Sequence, residues 1–197
     1  MGNIYVVDSG NNRIQKFDSD GNYISQFGSG GSGDGQLNDP WDILFDESGD
    51  IYVTDAGNHR IQKFDSDGNY ISQFGSNGSG NGQFSFPVGF DFDSSGNIYV
   101  VDSANNRIQK FDSDGNYISQ FGSSGSGDGQ FNSPQRLSID SVFGDIYVTD
   151  SANNRVQKFD SDGNYISQFG SSGSGDGRVS SIPKVLKLII REMSMFQ

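Results

Sequence analysis

The sequence predicts an all-β fold assembled from repeated four-stranded antiparallel sheets. Three observations carry this reading. The first is an internal repeat: Ile-Tyr-Val begins at Ile4, Ile51, Ile98 and Ile146, so the copies are spaced by 47, 47 and 48 residues. The second is the apolar period within each copy, which is two residues rather than the 3.6 of a helix. The third is punctuation: clusters of Gly, Asn and Asp separate the apolar runs, and these residues suit turns. Four short strands in every 40 to 50 residues is the pattern of a blade packed with its copies around an axis, a β-propeller.

The second copy shows each element. Ile51-Tyr52-Val53-Thr54 is a β-branched and aromatic run. Asp55 to His59 form a Gly- and Asn-containing turn. Arg60-Ile61-Gln62-Lys63-Phe64 then alternates polar and apolar residues, and Tyr70-Ile71-Ser72-Gln73-Phe74 does the same. Such alternation buries one face of a strand and solvates the other. Asp65-Ser66-Asp67-Gly68-Asn69 lies between the last two runs and reads as a hairpin turn, because Gly and Asn tolerate positive φ. A fourth run precedes these three: Pro40-Trp41-Asp42-Ile43-Leu44-Phe45, with relatives beginning at Pro87 and Pro134. Proline is tolerated at the first residue of a strand, where no ladder donor is lost.

The pattern Pro-x-x-Φ-x-Φ-Asp, then Gly-Asn or Gly-Asp, then Ile-Tyr-Val-x-Asp-x-x-Asn-x-Arg-Ile-Gln-Lys-Phe resembles the NHL repeat. It runs from residue 1 to about 178, almost the whole chain. The resemblance implies a propeller, usually of six blades, with the Pro-started strand innermost and a central channel. WD40 repeats fit less well, since Trp41-Asp42 opens an inner strand instead of ending one. The expected architecture is an NHL-type open arc of three full blades, at about 40–75, 87–122 and 134–170, plus a partial blade of three strands at the start. The chain opens inside a repeat, so a longer parent is expected. Closure is what removes exposed strand edges, and an assembly of two or more chains completing a ring is a further expectation.

Between units run Gly/Ser-rich stretches at 28–37, 75–84, 122–131 and 170–179. Composition alone reads them as flexible linkers. In a repeat array each is the crossing from one blade to the next, with Leu37, Phe84 and Phe131 pinning it at one recurring position.

The tail, residues 179–197, carries no repeat signature and no glycine. With permissible codons and a frame shifted by two bases, 178–197 can encode Gly-Phe-Ile-Asn-Pro-Gln-Gly-Ile-Glu-Ile-Asp-Asn-Ser-Gly-Asn-Val-Tyr-Val-Ser. That is the start of a fifth repeat in register with the fourth. A frameshifted fifth repeat is therefore expected there, with an amphipathic helix as the alternative.

The formal net charge of −12 and pI near 4.2 argue against a nucleic-acid surface, because phosphate binding rests on Lys and Arg. No segment reads as a membrane span. With no cysteine there is neither disulfide nor thiolate metal site. His59 is the only histidine and replaces the Asn of other copies, so it reads as a solvated turn variant. Propeller enzymes resembling this family use several histidines on a metal, which this chain does not supply. No catalytic residue, metal or cofactor is therefore expected. Asp-Ser-Asp-Gly-Asn faintly resembles a calcium loop but reads better as a hairpin turn. Asp8, Asp55, Asp102 and Asp150 each precede an Arg by five residues and are expected to pair across a turn, with little effect on stability if exposed.

The contrast between copies is more informative. Three strands of each unit are nearly identical, whereas the inner strand varies: Trp41-Asp42, Val88-Gly89 and Gln135-Arg136, with Asp91 where the others have Leu44 and Ser138. Differences concentrated on the strands lining a channel suit a binding surface on a copied scaffold. The candidate ligand-binding residues are Trp41, Asp42, Val88, Asp91, Gln135 and Arg136. A protein, peptide or glycan partner is expected, with a lyase- or lactonase-like propeller enzyme as the alternative.

Overall fold

A computed structural model describes residues 2–177; the expectations for the tail at 179–197 lie outside the described residues. Blade I has strands β1 (Ile4–Asp8), β2 (Arg13–Phe17) and β3 (Tyr23–Phe27). Blade II has β4 (Pro40–Phe45), β5 (Ile51–Asp55), β6 (Arg60–Phe64) and β7 (Tyr70–Phe74). Blade III has β8 (Pro87–Phe92), β9 (Ile98–Asp102), β10 (Arg107–Phe111) and β11 (Tyr117–Phe121). A short parallel pair, β12 (Ser123–Ser124) and β13 (Gln130–Phe131), lies in the crossing to blade IV. Blade IV has β14 (Pro134–Ile139), β15 (Ile146–Asp150), β16 (Arg155–Phe159) and β17 (Tyr165–Phe169). Within each blade the strands pair antiparallel in sequence order. The inner strands β4, β8 and β14 contact one another in succession, whereas the outer strands β7 and β11 are largely exposed along their length. The result is the open propeller arc of three full blades and one partial blade.

The cores lie between blades. Ile14 of blade I packs with Leu37, Ile51, Val53 and Phe64 of blade II, and equivalent clusters fill the II–III and III–IV seams. One aromatic contact recurs at each seam. The last Phe of an outer strand meets the last Phe of the third strand in the next blade, with ring centroids 4.9 Å apart for Phe27–Phe64, 4.9 Å for Phe74–Phe111 and 4.8 Å for Phe121–Phe159. A sheet with period-two patterning cannot bury its apolar face alone, so each blade depends on its neighbours.

The Gly/Ser crossings are ordered. Leu37, Phe84 and Phe131 are fully buried, and a parallel bridge ties each to the preceding strand exit, as in Gly30–Leu37 and Asn77–Phe84. Glycine is required at the first turn of the crossing. Gly75 has φ of 96°, and a Cβ there would lie 2.5 Å from the Phe84 ring. Linker composition therefore encodes close approach of backbone to a buried aromatic.

The Asp–Arg pairs form as expected, and in the full blades they are buried: Arg60 Nε donates to Asp55 Oδ2 at 2.7 Å with side-chain exposures of 8% and 0%, and Arg107–Asp102 and Arg155–Asp150 match it. Asn58 and Gln62 also donate to Asp55, while Arg60 Nη2 donates to the crossing carbonyls of Gly33 and Gln36. Each pair thus clamps a crossing loop onto its blade. The reading of His59 as a solvated turn variant needs correction. The residue is half-buried, at φ of 57°, and its Nδ1 accepts the Phe86 N–H at 3.2 Å. Asn12 and Asn106 do the same for Asp39 and Ser133, so the histidine substitutes as an acceptor for the next crossing. The Asp-Ser-Asp-Gly-Asn turns have their leading carboxylate committed locally. Asp65 accepts from the Asp67 and Asn69 N–H groups at 2.9 and 2.8 Å.

Candidate functional site

Each inner strand of the full blades departs from regular pairing at one place. In blade II, Pro40 pairs with Asp55 and Ile43 with Val53, so Trp41 and Asp42 together oppose the single residue Thr54. The same shift falls at Val88–Gly89 and at Gln135–Arg136. A bulge of this kind bends the strand and re-aims its side chains. Thr54 Oγ1 accepts the Asp42 N–H at 2.7 Å and Thr149 Oγ1 accepts that of Arg136 at 2.9 Å, which supplies partners where the ladder is broken. The bulge positions are thus among those that vary between copies, with Leu44, Asp91 and Ser138 varying in the regularly paired part of the strand.

The bulges bring residues of three blades together. Arg136 of blade IV reaches past blade III to Asp42 of blade II, with Nη1 2.5 Å from Asp42 Oδ2. Its Nη2 approaches the Trp41 carbonyl at 3.5 Å. Gly89 makes this reach feasible: a Cβ there would lie 2.7 Å from the Gln135 carbonyl oxygen and 3.3 Å from Arg136 Cδ. Asp91 accepts the Ile139 N–H of blade IV at 2.9 Å through Oδ2, and the Phe92 N–H through Oδ1. Burial pushes the Asp42 carboxyl above the usual carboxylate range, against the opposing pull of the Arg136 guanidinium. Burial pushes Asp91 up as well, opposed by its hydrogen bonds to the backbone of Ile139 and Phe92.

Of the six candidate residues, Asp42, Asp91 and Arg136 bridge inner strands, and Trp41 adjoins them. The Trp41 ring is half-buried, edge-on to Phe86 at 5.8 Å, and its Nε1 is buried with no hydrogen-bond partner among the described residues. Gln135 is half-buried and covers Gly89 with its carbonyl. Val88 differs: it is 2% exposed and packs in the III–IV core with Tyr99, Val101 and Leu137. Its side chain is a core residue, and only its carbonyl meets the neighbouring blade, accepting from Thr54 Oγ1 at 3.3 Å.

At the other end of the inner strands, where β4 and β8 run into their turns, a cleft of about 450 Å³ opens between blades II and III. Phe45, Tyr52 and Phe92 line it together with Glu47, Asp93 and Asp114. Sequence reasoning did not single these residues out, since most belong to the copied framework. The one available signal was Glu47, which stands where the later copies have Ser94 and Ser141.

An NHL repeat model matches residues 1–17 and 37–64, and a family model described as a 6-bladed β-propeller matches residues 93–166. No curated protein sequence matches the chain. Among solved structures, a streptogramin B lyase superposes with a TM-score of 0.66 at 18% identity, over 85% of this chain and 51% of that one. A catalytically inactive virginiamycin B lyase from Staphylococcus aureus, crystallised with quinupristin, gives 0.65 at 17% identity over 85% and 52%. A gluconolactonase from Xanthomonas campestris gives 0.62 at 22% identity over 83% and 56%. The chain spans about half the length of each, and at these identities the likeness speaks to the fold. The repeat motif, the four-stranded blades and the family matches agree: the chain carries NHL repeats and has the fold of a β-propeller.

Proposed function

We propose that the chain is a non-catalytic scaffold that binds a protein, peptide or glycan partner through its inner strands and blade-crossing loops. One observation carries this reading. Residues that differ between otherwise copied blades gather on the inner strands, where Trp41, Asp42 and Arg136 at the bulges and Asp91 beyond one draw three blades together. Aromatic and arginine side chains of this type dominate contact energies at binding surfaces. The buried Trp41 Nε1 without a partner supports it too, since an unmet buried donor costs about 1–3 kcal/mol and a ligand acceptor would relieve that. Trp41 is the only tryptophan, so its emission reports on this place alone. Titration with panels of peptides and oligosaccharides is expected to give a saturable change in that emission, and Arg136→Ala is expected to abolish it. A response indifferent to Arg136→Ala, or no response to any member, counts against the scaffold.

The propeller enzyme remains a second reading, favoured by the names of the structural neighbours, two lyases and a gluconolactonase. Asp42 and Asp91, carboxyls whose proton affinity burial has raised, are of the kind used in acid–base chemistry. Lactone hydrolysis by the chain that disappears in Asp42→Asn or Asp91→Asn would replace the scaffold reading with this one.

A further inference from the structure

The cleft between blades II and III is separate from the inner-strand bulges and lies at the opposite end of β4 and β8. Its floor is aromatic: the Tyr52 and Phe92 rings meet edge to face at 5.2 Å, and Phe45 is 43% exposed. Its walls hold four carboxylates, Asp46, Glu47, Asp93 and Asp114, against the single ammonium of Lys63. That ammonium is already spent. It lies 3.2 Å from Asp46 and 2.9 Å from Asp50, above the Tyr52 ring at 5.0 Å from its centroid. Asp93 is shared with Lys110 at 3.3 Å and with the Asn97 amide. Glu47 and Asp114 are the exposed carboxylates of the rim.

The neighbouring seam shows how such a gap is closed. Between blades III and IV the Tyr99 hydroxyl donates to the Ser161 carbonyl at 3.2 Å, stitching one blade to the turn of the next. At the II–III seam the equivalent residues are Tyr52 and Ser113, and both stand on the walls of an open cleft. An aromatic floor under a rim of surplus negative charge matches a cation with an apolar stem. The exposed Phe45 ring offers an apolar and cation–π surface, and the exposed carboxylates of Glu47 and Asp114 offer acceptors for a guanidinium.

We propose that this cleft binds an arginine side chain of a basic peptide, at a site distinct from the inner-strand bulges. The test is fluorescence anisotropy of a labelled tetra-arginine peptide titrated with the full chain at moderate salt. Saturable binding is expected, weakened roughly tenfold by the double variant Glu47→Gln/Asp114→Asn and weakened also by Phe45→Ala. Two exposed turn substitutions away from the cleft, Asp20→Asn/Asp162→Asn, remove the same net charge and are expected to leave binding unchanged. Equal loss in the two double variants would mean a diffuse response to a protein of charge −12 and would overturn the site. So would absence of saturable binding, or competition by a neutral oligosaccharide as effective as by free arginine. Arg136→Ala is expected to leave the affinity intact, so failure here and failure of the inner-strand reading are told apart.

Discussion

The second to fourth strands of each blade and its first strand obey different rules. In the outer three, the copies are nearly identical, because every seam demands the same fit. A buried Asp–Arg clamp holds the crossing, a Phe from one blade meets a Phe of the next, and glycines stand where a Cβ would strike a ring. In the inner strands the copies diverge, because each bulge meets a different set of neighbours around the axis. Asp42 faces an arginine, Asp91 faces a backbone amide, and Gly89 makes room for another blade. Repetition therefore marks the shared packing of successive blades, and divergence marks inner-strand contacts particular to each blade, one of which, Arg136–Asp42, spans two seams.

The sharpest way to break the framework half of this comparison is Asp102→Ala. It strands Arg107 in a buried setting, and removing one partner of such a pair costs about 3–5 kcal/mol. Urea denaturation is expected to show a loss of that size, whereas Asp8→Ala is expected to lose clearly less, because the Arg13–Asp8 pair has side-chain exposures of 31% and 20%. Equal losses would mean that burial by the crossing loop does not set the strength of the clamp.

A smaller effect separates steric need from backbone need. Gly122→Ala places a Cβ 2.5 Å from the Phe131 ring at φ of 93°, and strain plus overpacking is expected to cost about 1–3 kcal/mol. Gly21→Ala has φ of 84° with nothing within 4 Å, so backbone strain alone acts and the loss is expected to be about 1 kcal/mol. Thermal unfolding of the two variants measures the difference.

Acid titration compares the regions most gently. Asp42 and Asp91 are raised by burial, whereas Asp65, Asp112 and Asp160 are lowered by hydrogen bonds from the Asn four residues on. Carboxyl NMR is expected to place the first two above 3.8 and the other three below it. The stability signs are opposite. The turn aspartates contribute stability above their unfolded value that is lost as pH falls through the folded one. The axial pair favours the fold when protonated, and that contribution declines as pH rises through their folded values.

Much of the fold was legible because a period of two and a repeat of 47 residues are properties of the sequence itself. The strands, the turns and the roles of Leu37, Phe84 and Phe131 followed from them. The burial of the Asp–Arg pairs was not legible: a separation of five across a turn brings two side chains together but says nothing of a crossing loop laid over them. His59 was misread for the same reason, since its partner Phe86 belongs to the next blade. The bulges were hidden because Pro-x-x-Φ reads alike with or without an extra residue. That explains Val88, which shares a bulge with Gly89 yet faces the core. The cleft was missed because its walls come from turns of two blades, none of them unusual in isolation.

The claim that the blades are arranged about an axis rests on one contact above others: residues 42 and 136, from blades with a third between them, form an ion pair. A double-mutant cycle with Asp42→Asn and Arg136→Gln, read by urea denaturation, tests it most directly. The two losses are expected to be non-additive by at least about 0.5 kcal/mol, as for residues in contact. Losses that add to within a few tenths of a kcal/mol would mean that the second and fourth blades do not meet, and the convergence of the inner strands would fail with them.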